Sequence, residues 1–190
     1  MAKVKIQGHA SGTGVLTVTA PNTSSDRTIT LPDATGTLLN SDGDGSNLTG
    51  TGFTVGARAY LTSNQSLTNS TWTKISLASE TYDPNSDFDS ATNYRFVAPE
   101  AGKYLAIGHI DWAVQTDGIL VYASIYKNGS GYATDLRILG GGTSYTSYVH
   151  DIIDMSSTDY LELWGRQNSG VSKNVYNGTT STWLSIQRIA

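Results

Sequence analysis

The chain has 190 residues, a formal net charge of −4 and a charged fraction of 15%, against about 25% in an ordinary soluble domain. No basic stripe is available to neutralise a phosphate backbone, which argues against nucleic-acid binding. With no cysteine, disulfide frameworks, cysteine-type zinc sites, iron–sulfur clusters and thiol nucleophiles are excluded together.

The leader MAKVKIQGHASGTG lacks the apolar stretch of a signal peptide, and no apolar run approaches the ~18–20 residues of a membrane span. The expectation is synthesis in the cytosol without membrane insertion. All phenylalanine, tyrosine and tryptophan residues lie at or after Phe53, and the first 52 residues contain eight glycines. A segment without large side chains cannot bury enough apolar area to offset its ordering entropy alone. Val15–Thr19 and Arg27–Leu31 nevertheless read as short β-type runs, each followed by a Pro-Asn or Pro-Asp turn signal. Residues 1–52 are therefore an extended β-type segment that needs neighbours, and NSDGDGSNLTGTG at 40–52 is its connector.

From Phe53 the pattern is all-β. Tyr104, Ala106, Gly108, Ile110, Trp112 and Val114 alternate with Lys103, His109 and Asp111, a period-2 strand. Ile119–Tyr126 is apolar on both faces: Val121, Ala123 and Ile125 share one with Ile119, and Leu120, Tyr122 and Tyr126 share the other. Such a strand is buried twice, once in its own core and once against a sheet or partner. Further strands are expected at 57–62, 74–78, 93–98, 145–153, 159–166 and 182–189, separated by Gly, Asn, Asp and Ser clusters. No segment has a sustained helical stripe, so residues 53–190 form one sandwich or jelly-roll domain.

Several segments carry a resemblance. Asn93–Tyr104 (NYRFVAPEAGKY), with Phe88-Asp89 upstream, resembles the strand–turn–strand signature of the globular head of complement subcomponent q and its tumour-necrosis-factor-like relatives. Ile125–Gly129 (IYKNG), Met155–Leu163 (MSSTDYLEL) and Thr182–Ile186 (TWLSI) are similar to later strands of that family, in the same order. Thr158 stands where the family has glycine. The resemblance implies a ten-stranded jelly roll and a homotrimer around an apolar axis.

The front segment is similar to another group. Thr17–Pro21, Arg27–Asp33 and Thr35–Leu38, followed by Gly45–Gly50, resemble a repeat and a shaft-to-head junction of bacteriophage tail-fibre and other virion proteins. This implies attachment to other virion proteins through residues 1–52, synthesis in the bacterial host cytoplasm, and a place on the tail or the capsid surface.

Catalytic and metal signals are weak. His9 lies in the leader, His109 on the polar side of its strand, and His150 beside Asp151; each reads as an ordinary histidine satisfied by a neighbour. Asp42–Asn47 opens like a calcium loop, but Asn47 and Phe53 occupy the positions that need Gly and Glu. Asp83, Asp87 and Asp89 read as solvated turn residues, and Gly140–Gly142 as a hairpin without a following helix. No Gly-x-Ser-x-Gly, His-Glu-x-x-His or phosphate-loop motif is present. The reading is a protein that is not an enzyme and needs no metal or cofactor.

If eight main strands alternate in direction, the connections at 62–73, 98–103, 127–144 and 167–181 share the tip away from the leader. Lys127, Asn128, Tyr132, Lys173, Asn174 and Tyr176, with Lys103 and Asn177, are then candidate ligand contacts. Flat rings and amide or ammonium donors suit sugar-like ligands. Leu120, Tyr122 and Tyr126 are the candidate trimer interface. The expectation is a homotrimeric virion fibre whose head binds a host-surface glycan or protein. The alternative is a capsid-decorating or head-fibre protein without a specific receptor.

Overall fold

The structure is a computed structural model that describes residues 55–113, 117–140 and 145–190. The expected strands at 15–19 and 27–31, His9, the Asp42–Asn47 loop, the boundary near residue 52, Val114, and Gly141 and Gly142 lie outside the described residues. In chain order the strands are β1 (Gly56–Tyr60), β2 (Gln65–Leu67), β3 (Thr73–Lys74), β4 (Ser79–Tyr82), β5 (Phe88–Asp89), β6 (Arg95–Val97) and β7 (Gly102–Trp112). They continue as β8 (Leu120–Lys127), β9 (Ser130–Ile138), β10 (Tyr145–Met155), β11 (Tyr160–Gln167), β12 (Lys173–Val175) and β13 (Trp183–Arg188). No helix occurs among the described residues.

Two antiparallel sheets face each other. One runs β10–β7–β13–β1–β4, and β12 and β2 extend it beside the end of β7. The other runs β5–β6–β11–β8–β9, with β3 also on β11. The alternation at 103–112 works as its period demands: Tyr104, Ala106, Ile110 and Trp112 turn inward and are fully buried. Val121, Ala123 and Ile125 face them from β8 and Leu161 and Leu163 from β11, while Leu184 and Ile186 of β13 stand beside them in the same sheet. Burying such side chains contributes roughly 1.5–3 kcal/mol each. Trp112 satisfies its indole N–H on Ser147 Oγ at 3.0 Å. Gly165 makes the close packing possible, because a Cβ there would sit 2.8 Å from Leu67 Cδ2 and 3.2 Å from Trp112 Cη2.

The registers define two ends. Gly56 pairs with Gln187, Tyr104 with Arg188, Gly102 with Met155, and Lys127 with Leu161. With the chain entering at Val55, these residues form the entry end. Tyr60, Trp112, Leu120, Ile138, Tyr145, Gln167 and Trp183 lie at the far end. Ala190 returns to the entry end, where its carbonyl accepts from Lys103 N at 2.8 Å.

Two expectations are corrected. The stretch 127–144 is not one tip loop, because Ser130–Ile138 is the nine-residue edge strand β9. Its inward positions are Ala133, Asp135 and Arg137, paired with Ile125, Ala123 and Val121, so the face it turns to the core is mostly polar, while Leu136 and Ile138 point outward. The strand expected at 74–78 shrinks to β3; Ile75 and Leu77 are fully buried but leave the ladder. Both changes break the strand-counting argument that gathered four connections at one tip.

Candidate functional site

The residues expected together at the tip divide between the two ends. Lys127 and Asn128 sit at the entry end, as does Lys103, paired with Asp154 at 2.7 Å. Asn128 and Gly129, at φ of 51° and 77°, form the two-residue turn between β8 and β9. Two positive φ values mark a type I′ turn, for which Asn-Gly is the preferred pair. Asn128 donates through Nδ2 to Asp159 Oδ1 at 2.8 Å and accepts the Tyr160 N–H at 2.9 Å. Lys127 Nζ lies 2.9 Å from Asp159 Oδ2 and donates to the Asp154 carbonyl at 2.6 Å. Asn128, the Ser156 N–H and Lys127 together hold the Asp159 carboxyl down at about 2. The polar groups of Lys127 and Asn128 are thus engaged within the chain. Tyr132, 48% exposed, projects from β9 close to the same turn.

Lys173, Asn174 and Tyr176 lie at the far end. Lys173–Val175 pairs with Leu67–Gln65, and Val175 also pairs with Trp112. Tyr176 N donates to the Asp111 carbonyl at 2.8 Å. Asn177 reaches across to the loop after β1, donating from N to Asn64 Oδ1 at 2.9 Å and from Nδ2 to the Thr62 carbonyl at 3.0 Å. Gln167, fully buried, fixes the neighbouring turn by donating to the Leu67 and Val171 carbonyls and accepting from Ser169 N. The edge formed by β2, β12 and Asn177 is braced by these polar groups and lies opposite the point of chain entry.

Leu120, Tyr122 and Tyr126 occupy the outward face of β8, half-buried. Tyr126 stacks on Trp164 at 4.5 Å between ring centroids, and Trp72 contacts Tyr122 and Tyr126 at 5.7 and 5.8 Å. The Arg166 guanidinium lies 5.2 Å from the Tyr122 ring centre. Glu162, paired with Lys74 at 3.0 Å, accepts the Trp164 indole N–H at 2.9 Å. Burial pushes the Tyr126 phenol up. Sequence reasoning missed Trp72 and Trp164. Trp164 had a legible signal, standing one period from Glu162 in a strand, whereas Trp72 comes from a connection with no period.

The outward face of the other sheet carries an aromatic row. His109 is paired with Tyr148 on one side and Trp183 on the other, with ring centroids 4.2 and 5.5 Å away. It is buried, and neither ring nitrogen has a well-formed hydrogen bond to a described residue. Desolvation pushes the imidazole below its ordinary value; the Ser181 backbone and Asp111 oppose this, and Arg58 adds to it. The expected satisfied strand histidine is instead clamped by rings. His150 is exposed on β10, and no cluster of three potential metal ligands occurs among the described residues. Asp83 caps its turn by accepting from Asp87 N and Phe88 N, and Asp89 accepts from Ala91 N, Thr92 N and Asn93 Nδ2.

No protein-family model and no curated protein matches the chain. Solved structures do. Eiger TNF from S. frugiperda superposes with a TM-score of 0.56 at 7% identity, over 72% of this chain and 92% of that one. Murine APRIL at pH 5.0 gives 0.55 at 10% identity, over 70% and 98%. The globular domain of zebrafish complement 1qA gives 0.52 at 14% identity, over 72% and 98%. The fold is the tumour-necrosis-factor and complement-1q jelly roll. The Thr158 departure falls at φ 74°, where glycine carries no Cβ penalty.

Proposed function

We propose that the chain is the subunit of a homotrimeric bacteriophage virion fibre, attached through residues 1–52 and binding the host surface with its jelly-roll head. The observation that carries this reading is the polarity of the head: the chain enters at Val55, and a braced polar edge built from β2, β12 and Asn177 lies at the opposite end. The virion part rests on the fibre-like repeat in the leader.

Self-association is supported by exposed apolar side chains on the edge strands β9 and β10, one in each sheet. Leu136 and Ile138 are exposed on β9, and Tyr148 and Ile152 on β10. Leu120 pairs with Ile138 and Tyr122 with Leu136, so two of the expected interface residues adjoin the exposed pair on β9. Exposed large apolar side chains that adjoin further outward-facing aromatic residues mark an interaction site. Three linked heads raise the avidity of a weak site by roughly 10²–10⁴-fold.

The test is sedimentation of the full chain with pull-down of candidate host cells. A stable 20.2 kDa monomer at micromolar concentration overturns the trimer. A trimer that retains no host cells or envelopes overturns receptor binding and leaves a decorating protein.

A further inference from the structure

At the far end, the loop after β1 and the strand β2 face Ser76 and Tyr94 across a cleft of about 410 Å³. We infer that this cleft is the saccharide site of the head, taking one uncharged pyranose unit of a surface polysaccharide. The inference rests on the receptor-binding reading and adds to it a site and a ligand class.

Three features support it. The first is the lining. Thr62, Ser63, Asn64, Ser66 and Ser76 present hydroxyl and amide groups, and no charged side chain lines the cleft. None of the four hydroxyls, nor the Tyr94 phenol, hydrogen-bonds to another described residue. Groups able both to donate and to accept match the mixed hydrogen bonding of sugar hydroxyls, and the missing charges remove any preference for acidic sugars. The size falls within the 300–1,000 Å³ of ordinary ligand sites.

The second is rigidity. Asn177 ties the outer wall through Asn64 and Thr62. Gln65 ties the inner wall, donating from Nε2 to the Lys74 carbonyl at 2.8 Å and accepting the Ser76 N–H at 2.9 Å. Leu61, 2% exposed, closes the base and donates to the Thr182 carbonyl at 2.9 Å. A braced wall loses little entropy when a ligand arrives.

The third is strain. Tyr94 sits at φ 50°, a left-handed conformation that costs a bulky residue about 1–2 kcal/mol. Its neighbour Asn93 enforces it, donating to Asp89 Oδ2 at 2.6 Å while its carbonyl accepts Lys74 Nζ at 3.0 Å. Strain held this way collects at ligand-contacting positions. Here it brings an aromatic ring to the rim of a cleft otherwise lined by small polar groups, where the apolar face of a pyranose can stack.

The experiment is saturation-transfer NMR of the full chain with the methyl glycosides of glucose, galactose, mannose and N-acetylglucosamine, and with methyl glucuronoside as the charged comparator. Tyr94→Gly removes the ring while keeping the backbone angle. Ser66→Glu, on the exposed side of β2, places a charge in the cleft. At least one neutral glycoside is expected to give transfer that exceeds the glucuronoside's, weakened at least about fivefold in affinity by Tyr94→Gly, the scale of one aromatic contact, and lost in Ser66→Glu. Absence of transfer to every neutral glycoside, equal transfer to the glucuronoside, or equal binding by the variants overturns the inference. Host-cell binding measured alongside separates the two claims. Cell binding that survives both variants moves the receptor site elsewhere and leaves the fibre reading intact. Glycoside binding that behaves as expected in a protein that binds no cells keeps the cleft and sinks the fibre reading.

Discussion

Asn128 and Asp159, 31 residues apart, join the two turns that close the entry end of the sandwich. Nδ2 of Asn128 donates to Asp159 Oδ1 at 2.8 Å, while its Oδ1 accepts the Tyr160 N–H at 2.9 Å. The Lys-Asn-Gly and Ser-Thr-Asp segments, which sequence alone presents as separate signatures, are the two halves of one lock. Asn128→Ala removes both hydrogen bonds and leaves a residue less suited to φ 51°. It is expected to cost about 1–3 kcal/mol in urea unfolding. An unchanged midpoint would remove the lock from the account.

The same lock gives an acid limb. The folded Asp159 carboxyl is held at about 2, below its ordinary 3.8. A group depressed on folding contributes stability that is fully present above the unfolded value and is lost as pH falls toward the folded one. Asp159→Asn should be less stable than the native chain at pH 6, and the difference should shrink between pH 4 and pH 2. Parallel stability curves across that window would contradict the assignment.

Thr158 occupies φ 74°, where a Cβ costs about 1–2 kcal/mol. Thr158→Gly relieves that strain but adds about 0.5–1 kcal/mol of unfolded-state freedom. The Thr158 N–H bond to the Ala98 carbonyl, 2.8 Å, is retained. The net expectation is a gain of about 0.5–1 kcal/mol, read as a higher thermal midpoint. A lower midpoint would mean that the threonine side chain has a role its exposure does not reveal.

His109 predicts a pH dependence at milder acidity. Burial against Tyr148 and Trp183 pushes its folded value below the ordinary 6.5. The unfolded chain therefore binds the proton first, and stability declines as pH falls through about 6.5 toward the folded value. Thermal midpoints at pH 7.5 and 5.5 should separate in the native chain and converge in His109→Phe, which keeps a ring between the two aromatics. Equal separation in both proteins would locate the titration elsewhere.

The sheets were legible where side chains alternate strongly. Tyr104–Trp112 and the two-faced run at 119–126 form β7 and β8, because each has one face that must be buried. The edge strand β9 was not, since Asp135 and Arg137 take inward positions at the sandwich margin and pair with each other at 2.8 Å. The Asn128-Gly129 pair was the available hairpin signal, and reading it would have placed Tyr132 on a strand. Single-sequence periodicity also gives no sense of which end a connection reaches. Lys127 and Asn128 could therefore be grouped with Lys173, Asn174 and Tyr176, although one β8 strand length separates them. The cleft at Thr62–Ser66 was only half visible. Its loop lay within the expected tip, but the opposing Tyr94 comes from a segment read as plain strand.

The two aromatic and apolar surfaces on the β8–β9 side should respond differently to substitution. Trp72 packs within the chain on Tyr122 and Tyr126. Trp72→Ala is therefore expected to cost about 1–3 kcal/mol, less than a fully buried tryptophan, without changing the sedimenting species. Ile138, 73% exposed and paired with Leu120, gains little from contacts within the chain. Ile138→Glu should leave the melting of the isolated jelly roll nearly unchanged, because a surface substitution of this kind shifts stability by only about 0.5 kcal/mol. In the proposed trimer it places a charge against an apolar neighbour, which costs several kcal/mol when left unpaired. The expected result is a sedimentation shift from trimer toward 20.2 kDa for Ile138→Glu and none for Trp72→Ala. A trimer that withstands Ile138→Glu and dissociates with Trp72→Ala would move the interface onto the Trp72, Tyr122 and Tyr126 cluster.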